Sequence, residues 1–138
     1  MNNTSNTQTK SNRRLYIYLA ITAILLLGAC IGSYCYLKIS ANSVLDTISQ
    51  IETAVLANDW QQAGEEYHNA RHIWNSHKNF WQCFLIHQEI DDIEISFMQL
   101  QGFLETQDTA QSLSSLYELS YSIDHVPDTE RISFYNIL

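Results

Sequence analysis

The sequence predicts an all-α protein, in which one N-terminal transmembrane helix is followed by a small antiparallel helical bundle made of two helical hairpins and a short C-terminal helix. Three observations support this fold class. Proline occurs once and glycine four times among 138 residues, which favours long helices over a turn-rich sheet protein. Residues 15–37 carry no charged side chain. Beyond them, apolar residues recur every three or four positions, which is the spacing of one helix face.

The uncharged segment 15–37 has 23 residues. At about 1.5 Å per residue it is long enough to cross roughly 30 Å of hydrocarbon, and tyrosines lie near both ends, where amphipathic rings meet the headgroups. Three basic residues and no acidic residue precede it. The positive-inside rule therefore keeps residues 1–14 in the cytoplasm as a disordered leader, and residues 38–138 form the extracytoplasmic helical domain of a single-pass cell-membrane protein.

Two other processing routes start from the same apolar segment. Leu27-Gly28-Ala29-Cys30 resembles a lipoprotein signal, in which Cys30 is the lipidated residue. Cleavage as an ordinary signal peptide is the third route. A lipid-anchored chain normally begins with a polar tether, but residues 31–37 remain apolar, so the uncleaved anchor is favoured. All three routes export the domain.

Charge is distributed unevenly along the chain. Residues 38–138 hold 4 basic and 15 acidic side chains, a formal charge of −11. Such an acidic domain disfavours binding to nucleic acid, whereas it attracts cations or a basic partner protein. Of the three cysteines, Cys83 alone lies in this domain, on the inner side of a predicted helix. We expect a buried, inert thiol there and no disulfide framework.

The first hairpin follows directly from the membrane segment. A helix is expected to continue to about Ala57 on the apolar residues Val44, Ile48, Ile51 and Val55. Asp59 is placed to cap a second helix, and Gln62 completes a capping box. This second helix is expected to end near Ser76. Its predicted buried stripe is Trp60, Ala63, Tyr67, Ala70 and Trp74.

The second hairpin repeats this layout. Asn79 and Gln82 give the cap signal of a third helix, whose predicted buried stripe is Cys83, Ile86, Ile90, Ile93, Phe97, Leu100 and Leu104. Asp108 with Gln111 predicts another cap, before a fourth helix with the inner residues Leu113, Leu116, Tyr117, Ser120 and Ile123. Pro127 then predicts a break and a short terminal helix carrying Ile132, Tyr135 and Leu138.

The two hairpins share a spacing of 49 residues. The pairs that keep this offset are Asp59/Asp108, Gln62/Gln111, Ile51/Leu100, Ala63/Ser112 and Tyr67/Leu116. One interpretation is an internal repeat of a helical hairpin, and the other is that similar hairpins share caps for physical reasons alone. Both predict a four-helix arrangement.

Short segments spread over nearly the whole exported part carry a family resemblance. They are Asn58-Asp59-Trp60, Trp74, His87 to Ile93, Asp108, and Val126-Pro127-Asp128 through Asn136-Ile137-Leu138. In their order and spacing they resemble a family of short, N-terminally anchored bacterial proteins, the domain of unknown function 4363. The resemblance implies membrane anchoring and a helical domain with no established activity. It also implies a partner in another small membrane protein encoded by a neighbouring gene.

His87, Asp91 and Glu94 stand at i, i+4 and i+7 of the third predicted helix, beside its buried stripe. They could converge on zinc or a hard cation, or contact a polar partner. The favoured interpretation is an interhelical hydrogen-bond network, because such spacing is common in helices, and neither a metal nor another cofactor is expected. His68 and His72 lie one turn apart on the second helix and are interpreted as a half-exposed polar strip.

The aromatic group Trp60, Trp74, Phe80 and Trp81 is interpreted as core packing, because helical spacing puts Trp60 and Trp74 on the inner stripe. Trp81 is the tryptophan expected to remain exposed. This makes Trp81 a candidate partner-binding residue, together with the three polar residues of the third helix.

No acid–base pair, activated nucleophile or phosphate-binding glycine loop is recognisable in the sequence, so an enzyme is not predicted. The favoured function is a non-enzymatic interaction or accessory module for another envelope or membrane protein, attached to the lipid bilayer through residues 15–37. The alternative is a membrane-tethered sensor domain that binds a small ligand or a metal.

Overall fold

The computed structural model describes the backbone of residues 4–135 and the side chains of residues 12–125. Over this range the chain forms four α-helices and no strand. Their bounds are Thr4–Leu56 (α1), Trp60–Trp81 (α2), His87–Glu105 (α3) and Thr109–Tyr135 (α4). The chain divides into two compact units, Met1–Tyr36 and Leu37–Leu138. The predicted all-helical fold class is confirmed.

The first unit contains the N-terminal part of α1. Its described side chains are exposed, apart from the half-buried Ser33 and Tyr34. One helix of the described residues is long and apolar enough to cross a membrane, by length and composition, and its candidate span is Asn12–Leu56. The backbone is helical from Thr4, where the sequence predicted a disordered leader. A helix nucleated in the apolar segment gains one hydrogen bond per added residue, which explains the extension.

The second unit is organised around the apolar stripes of its helices. The predicted stripe of α1 is buried, namely Val44, Ile48, Ile51 and Val55. The α3 stripe is buried from Ile90 onward, namely Ile90, Ile93, Phe97, Leu100 and Leu104. Helix α3 packs against both α2 and α4. Hydrogen bonds join α2 and α4 to α1, from Trp81 Nε1 to Ser40 Oγ (2.8 Å) and from the Tyr117 hydroxyl to Glu52 (3.0 Å). The predicted bundle is therefore confirmed.

Helix α2 is longer than predicted. It continues past Ser76 to Trp81. Trp81 stands seven residues, or about two helical turns, after Trp74 and therefore shares its buried face. Both indoles are fully buried. Burial of the second indole stabilises the added turn more than the isolated cap signal at Asn79 favours ending the helix.

Helix α3 begins later than predicted. Residues 82–86 form a non-helical connection, and α3 begins at His87 without a side-chain cap hydrogen bond. Cys83 and Ile86 are exposed, although the periodicity put both on the buried stripe. The helical period holds only where the backbone is helical, and these two residues precede the helix.

Helix α4 runs without interruption from Thr109 to Tyr135, so the prediction of a separate helix after Pro127 is wrong for the described backbone. A proline removes one backbone N–H and bends a helix without always ending it. The packing predicted for Ile132, Tyr135 and Leu138 lies outside the side chains that the structure describes.

The inner face of α4 differs in part from the prediction, and Leu113 and Ser120 are only half-buried. Leu116 and Ile123 are buried as expected, but Tyr117 is exposed and Leu119 is buried. Leu119 lies three residues after Leu116 and four before Ile123, so it completes the same helix face. The aromatic ring of Tyr117 remains outside, with its hydroxyl bonded to Glu52.

The two hairpins turn in the same way. Asn58 and Gln107 both adopt left-handed backbone conformations, with φ of 57° and 55°. In the first turn, the backbone N–H of Asn58 donates to Val55 (3.0 Å) and that of Asp59 to Ala54 (2.9 Å). The equivalent bonds 49 residues later measure 3.1 and 3.0 Å. Each turn is a Schellman motif, which satisfies the last carbonyls of the preceding helix.

The aspartate that ends each Schellman motif is also the N-cap of the next helix. Asp59 accepts a hydrogen bond from the backbone N–H of Gln62, and Asp108 accepts one from Gln111, both at 3.0 Å. The two predicted aspartate caps are confirmed.

The burial pattern repeats with the same 49-residue offset. The pairs in which both residues are buried are Ala41/Ile90, Val44/Ile93, Thr47/Ser96, Ile48/Phe97, Ile51/Leu100, Val55/Leu104, Ala63/Ser112, Tyr67/Leu116, Ala70/Leu119 and Trp74/Ile123. The repeat therefore extends from the caps through both helices of each hairpin.

Replacing Gln107 with glycine should raise the free energy of unfolding by about 1 kcal/mol, because the left-handed conformation strains glutamine and not glycine. Asn58→Gly is the matched control and should gain less, since asparagine tolerates this conformation better. Asp108→Ala should lower the same quantity by about 1 kcal/mol through loss of the cap. Denaturation of the full chain in detergent, followed by tryptophan fluorescence, measures all three. No gain at position 107 would contradict the strain at Gln107, and equal gains at positions 58 and 107 would contradict the greater tolerance of asparagine for this conformation.

Candidate functional site

The most elaborate polar arrangement in the described residues lies between α2 and α3. Glu94 of α3 accepts hydrogen bonds from three α2 side chains: from Trp74 Nε1 (2.8 Å) and Lys78 Nζ (2.8 Å) on one oxygen, and from Arg71 Nη2 on the other. The three donors stand at i, i+3 and i+7 and therefore share one face of α2. We call Arg71, Trp74, Lys78 and Glu94 the Glu94 cluster.

The donors of the cluster determine the charge state of its carboxylate. Burial by itself raises the pKa of Glu94, but the hydrogen bonds from Lys78, Trp74 and Arg71, together with the charge of Arg71, outweigh it and lower the pKa to about 2. The side chain is 18% exposed. Glu94 is therefore ionised at neutral pH, and its hydrogen-bonding capacity is directed at α2.

Arg71 connects this cluster to the apolar core. Its guanidinium carbon lies 5.1 Å from the centroid of the Phe97 ring, within the range of a cation–π contact. Its Nη1 is buried without a hydrogen-bond partner among the described residues. The neighbouring Tyr67 hydroxyl donates to the Phe97 carbonyl at 3.1 Å. Burial is the main cause that raises the pKa of Tyr67, which keeps the hydroxyl protonated as a donor.

The structure does not bring the predicted polar triplet together. Glu94 turns towards α2, whereas His87 and Asp91 are exposed on α3. Of the predicted hydrogen-bond network, the interhelical part is formed by Glu94 with α2 donors. His68 and His72 are exposed on α2. In the part of the chain that the structure describes, no group of three His, Cys, Asp or Glu side chains is placed to hold a metal ion.

A stripe of exposed residues follows His87 and Asp91 along α3. Ile95 is the next residue at a spacing of four, and Met98 follows three residues later. Ile95 is 46% exposed and Met98 59% exposed. We call these four residues the α3 outer stripe. The sequence analysis did not predict that Ile95 and Met98 belong to this exposed face. The spacing of His87, Asp91 and Ile95 at i, i+4 and i+8 could have indicated it.

Trp81 is not exposed, and this expectation is wrong. Its indole is fully buried, donates from Nε1 to Ser40 Oγ, and meets Trp74 edge to face at 5.1 Å between ring centroids. Its candidacy for partner binding depended on exposure and loses that support. Trp60, predicted on the inner stripe, is only half-buried.

The cysteines lie at exposed positions. Cys83 is exposed in the α2–α3 connection, which corrects the prediction of a buried thiol. Cys30 is exposed within α1, and its lipidation stays a prediction.

Fold and site together define an all-helical protein with a long apolar N-terminal helix and a four-helix unit. The Glu94 carboxylate is bound by α2 donors inside this unit, and the α3 outer stripe is exposed. The chain belongs to the family described as Domain of unknown function (DUF4363), whose model matches residues 31–137. No curated protein and no solved structure matches the chain.

Proposed function

We propose that this protein is a non-enzymatic interaction module, which a single N-terminal transmembrane helix holds at the cell membrane so that its four-helix unit contacts another envelope or membrane protein. The N-terminus is cytoplasmic and the unit extracytoplasmic. The observation that carries the proposal is the α3 outer stripe, which combines exposed apolar and charged side chains on one helix face.

The membrane placement is supported by the first unit. The uncharged segment 15–37 is long enough to span a bilayer, and its described side chains are almost all exposed. A helix that is apolar on all sides is unfavourable in water, whereas in a bilayer its side chains contact apolar lipid tails. The basic residues before the segment determine the orientation.

The interaction role is supported by the difference between Glu94 and its neighbours. Glu94 uses both oxygens on α2 donors and has little left to offer a partner. His87 and Asp91 are exposed beside Ile95 and Met98. A flexible methionine next to an isoleucine supplies adaptable apolar contact area, and the adjacent charge supplies specificity.

The test is site-specific photo-crosslinking in living cells. A photoreactive amino acid at Ile95 or Met98 of the full chain should yield one reproducible protein adduct. The same amino acid at Gln61, which is exposed on α2, is the matched control and should not yield it. Met98→Asp should abolish the adduct formed from position 95. An identical set of adducts from positions 61 and 95, or none from either stripe position across growth stages, would refute the proposed interface.

A further inference from the structure

The four-helix unit has one end built differently from the other. At one end lie the two hairpin turns, which are polar, with Asn58-Asp59 in the first and Gln107-Asp108 in the second. At the other end lies the α2–α3 connection, which contains the apolar run Cys83-Phe84-Leu85-Ile86. Connections between helices in water are normally polar, so this run requires an explanation.

The α2–α3 connection is tied to the start of the unit. Trp81, the last residue of α2, is fully buried and bonds to Ser40 of α1. Backbone N–H groups of Phe84 and Leu85 donate to the Trp81 carbonyl at 2.9 Å, and the Phe84 ring lies 4.9 Å from that of Phe80. The connection therefore lies at the same end of the unit as Ser40. We call residues 37–45 and 76–88 the Ser40 end.

Apolar side chains are exposed at the Ser40 end. Leu85 is buried, but Phe84 is 37% exposed and Ile86 64% exposed. Ile39, which precedes Ser40 in α1, is 69% exposed. Exposure of three large apolar side chains at one end of a small unit indicates contact with an apolar phase or a partner.

The charge of the Ser40 end favours a lipid surface. None of the 15 acidic residues lies in 37–45 or 76–88, although the rest of the unit is strongly acidic. The two segments contain Lys38, which is exposed, and Lys78, which is paired with Glu94. The two segments that carry the exposed apolar residues therefore contain no acidic side chain that anionic headgroups would repel.

Chain continuity brings the same end to the bilayer. Ser40 follows Leu37, the last residue of the uncharged segment, by three residues. In α1 this is a rise of about 4.5 Å, within the roughly 5 to 7 Å of headgroups on each side of the hydrocarbon. Ser40 itself is then at headgroup depth, and the Trp81 indole lies within a hydrogen bond of it.

We propose that the α2–α3 connection is a second membrane contact, in which Phe84 and Ile86 insert among the headgroups of the bilayer that residues 15–37 span. This inference rests on the membrane anchoring in the proposed function and not on the interface at the α3 outer stripe. The span and the connection are then two separate attachments of the chain to the membrane.

The test measures the depth of a probe at Cys83. The full chain with Cys30→Ser and Cys35→Ser is labelled at Cys83 with an environment-sensitive fluorophore and reconstituted in vesicles of phosphatidylcholine and phosphatidylglycerol in equal parts. Lipids that carry a quencher near the headgroup should quench the label at Cys83 at least about twofold more than a label at Ala57→Cys. Position 57 follows the end of α1 and lies roughly 25 Å along the helix from Ser40. The Ala57→Cys chain also carries Cys83→Ser.

A pair of variants separates insertion from nonspecific effects. Phe84→Ser with Ile86→Ser should reduce quenching at Cys83 to the level at position 57. Ile95→Ser with Met98→Ser removes a similar exposed apolar area elsewhere and should leave quenching unchanged. Circular dichroism of both double variants should give the same helical spectrum as the parent chain, which checks that they remain folded.

The outcomes distinguish this inference from the proposed function. Absence of quenching at Cys83, or equal quenching at positions 57 and 83, overturns the second contact while the chain still resists alkaline extraction from vesicles. Extraction of the chain at alkaline pH overturns the anchor and this inference together. Loss of the crosslinked partner alone overturns the interface and leaves the quenching result in place.

Discussion

Replacing Glu94 with glutamine should lower the free energy of unfolding by about 2 to 3 kcal/mol, because the neutral amide leaves two half-buried cations, Arg71 and Lys78, without their shared anion. Trp74 also loses a charged acceptor for its indole N–H. Glu118→Gln, at an exposed position of α4, is the matched control and should change the free energy by less than about 0.5 kcal/mol. Denaturation of the full chain in detergent, followed by tryptophan fluorescence, measures the difference.

The same variant should have a distinct pH dependence. The pKa of Glu94 is lowered from its ordinary 4.5 to about 2, so its ionised form stabilises the folded state fully above about pH 4.5 and loses that contribution as the pH falls towards 2. The loss is at most about 3 kcal/mol, at 1.36 kcal/mol per pKa unit. The Glu94→Gln variant lacks this pH-dependent contribution. The free energies of unfolding of the variant and the parent chain should therefore converge as the pH falls from 4.5 to 2. Parallel curves over this range would show that Glu94 does not titrate as described.

Replacing Trp81 with alanine should lower the free energy of unfolding by about 3 to 5 kcal/mol, the cost of emptying a large buried site. Loss of the bond to Ser40 and of the edge-to-face contact with Trp74 contributes to this cost. Trp60→Ala is the matched control and should lower it by about 1 to 2 kcal/mol, because Trp60 is only half-buried.

A milder variant covers the case in which Trp81→Ala fails to fold. Trp81→Phe keeps an aromatic ring but loses the hydrogen bond to Ser40, and should lower the free energy of unfolding by about 1 to 2 kcal/mol. Circular dichroism follows unfolding in these variants, since they change the tryptophan content. Similar losses for Trp60→Ala and Trp81→Ala would contradict the different burial of the two indoles.

The features predicted correctly from the sequence depend on local physics. The stripe of α1, and that of α3 from Ile90 onward, follow from the helical period. The caps at Asp59 and Asp108 follow from side chains that bond backbone groups three residues away. Interactions of this kind involve only residues close in the chain. The 49-residue repeat was visible in the same features, and the structure extends it to matched burial along both hairpins.

The predictions were wrong where contacts between two helices determine the structure. Weak cap signals at Asn79 and Gln82 predicted the end of α2, but a site beside Ser40 for the Trp81 indole extended the helix to that residue. Helical spacing alone suggested that Glu94 shares a site with His87 and Asp91. The α2 donors instead bind Glu94 and leave the other two exposed.

By itself, the sequence determined that the chain is all-helical, that residues 15–37 form an apolar segment of membrane-spanning length, and where both hairpins turn, because composition, hydropathy and caps act over short stretches of chain. Only the tertiary structure decided which polar and aromatic residues face inward. Three side chains of α2 bind Glu94 of α3 between the two helices, and Trp81 is buried against α1. Periodicity places a residue on a side of its own helix, but the neighbouring helix determines whether that side is core, interface or membrane surface.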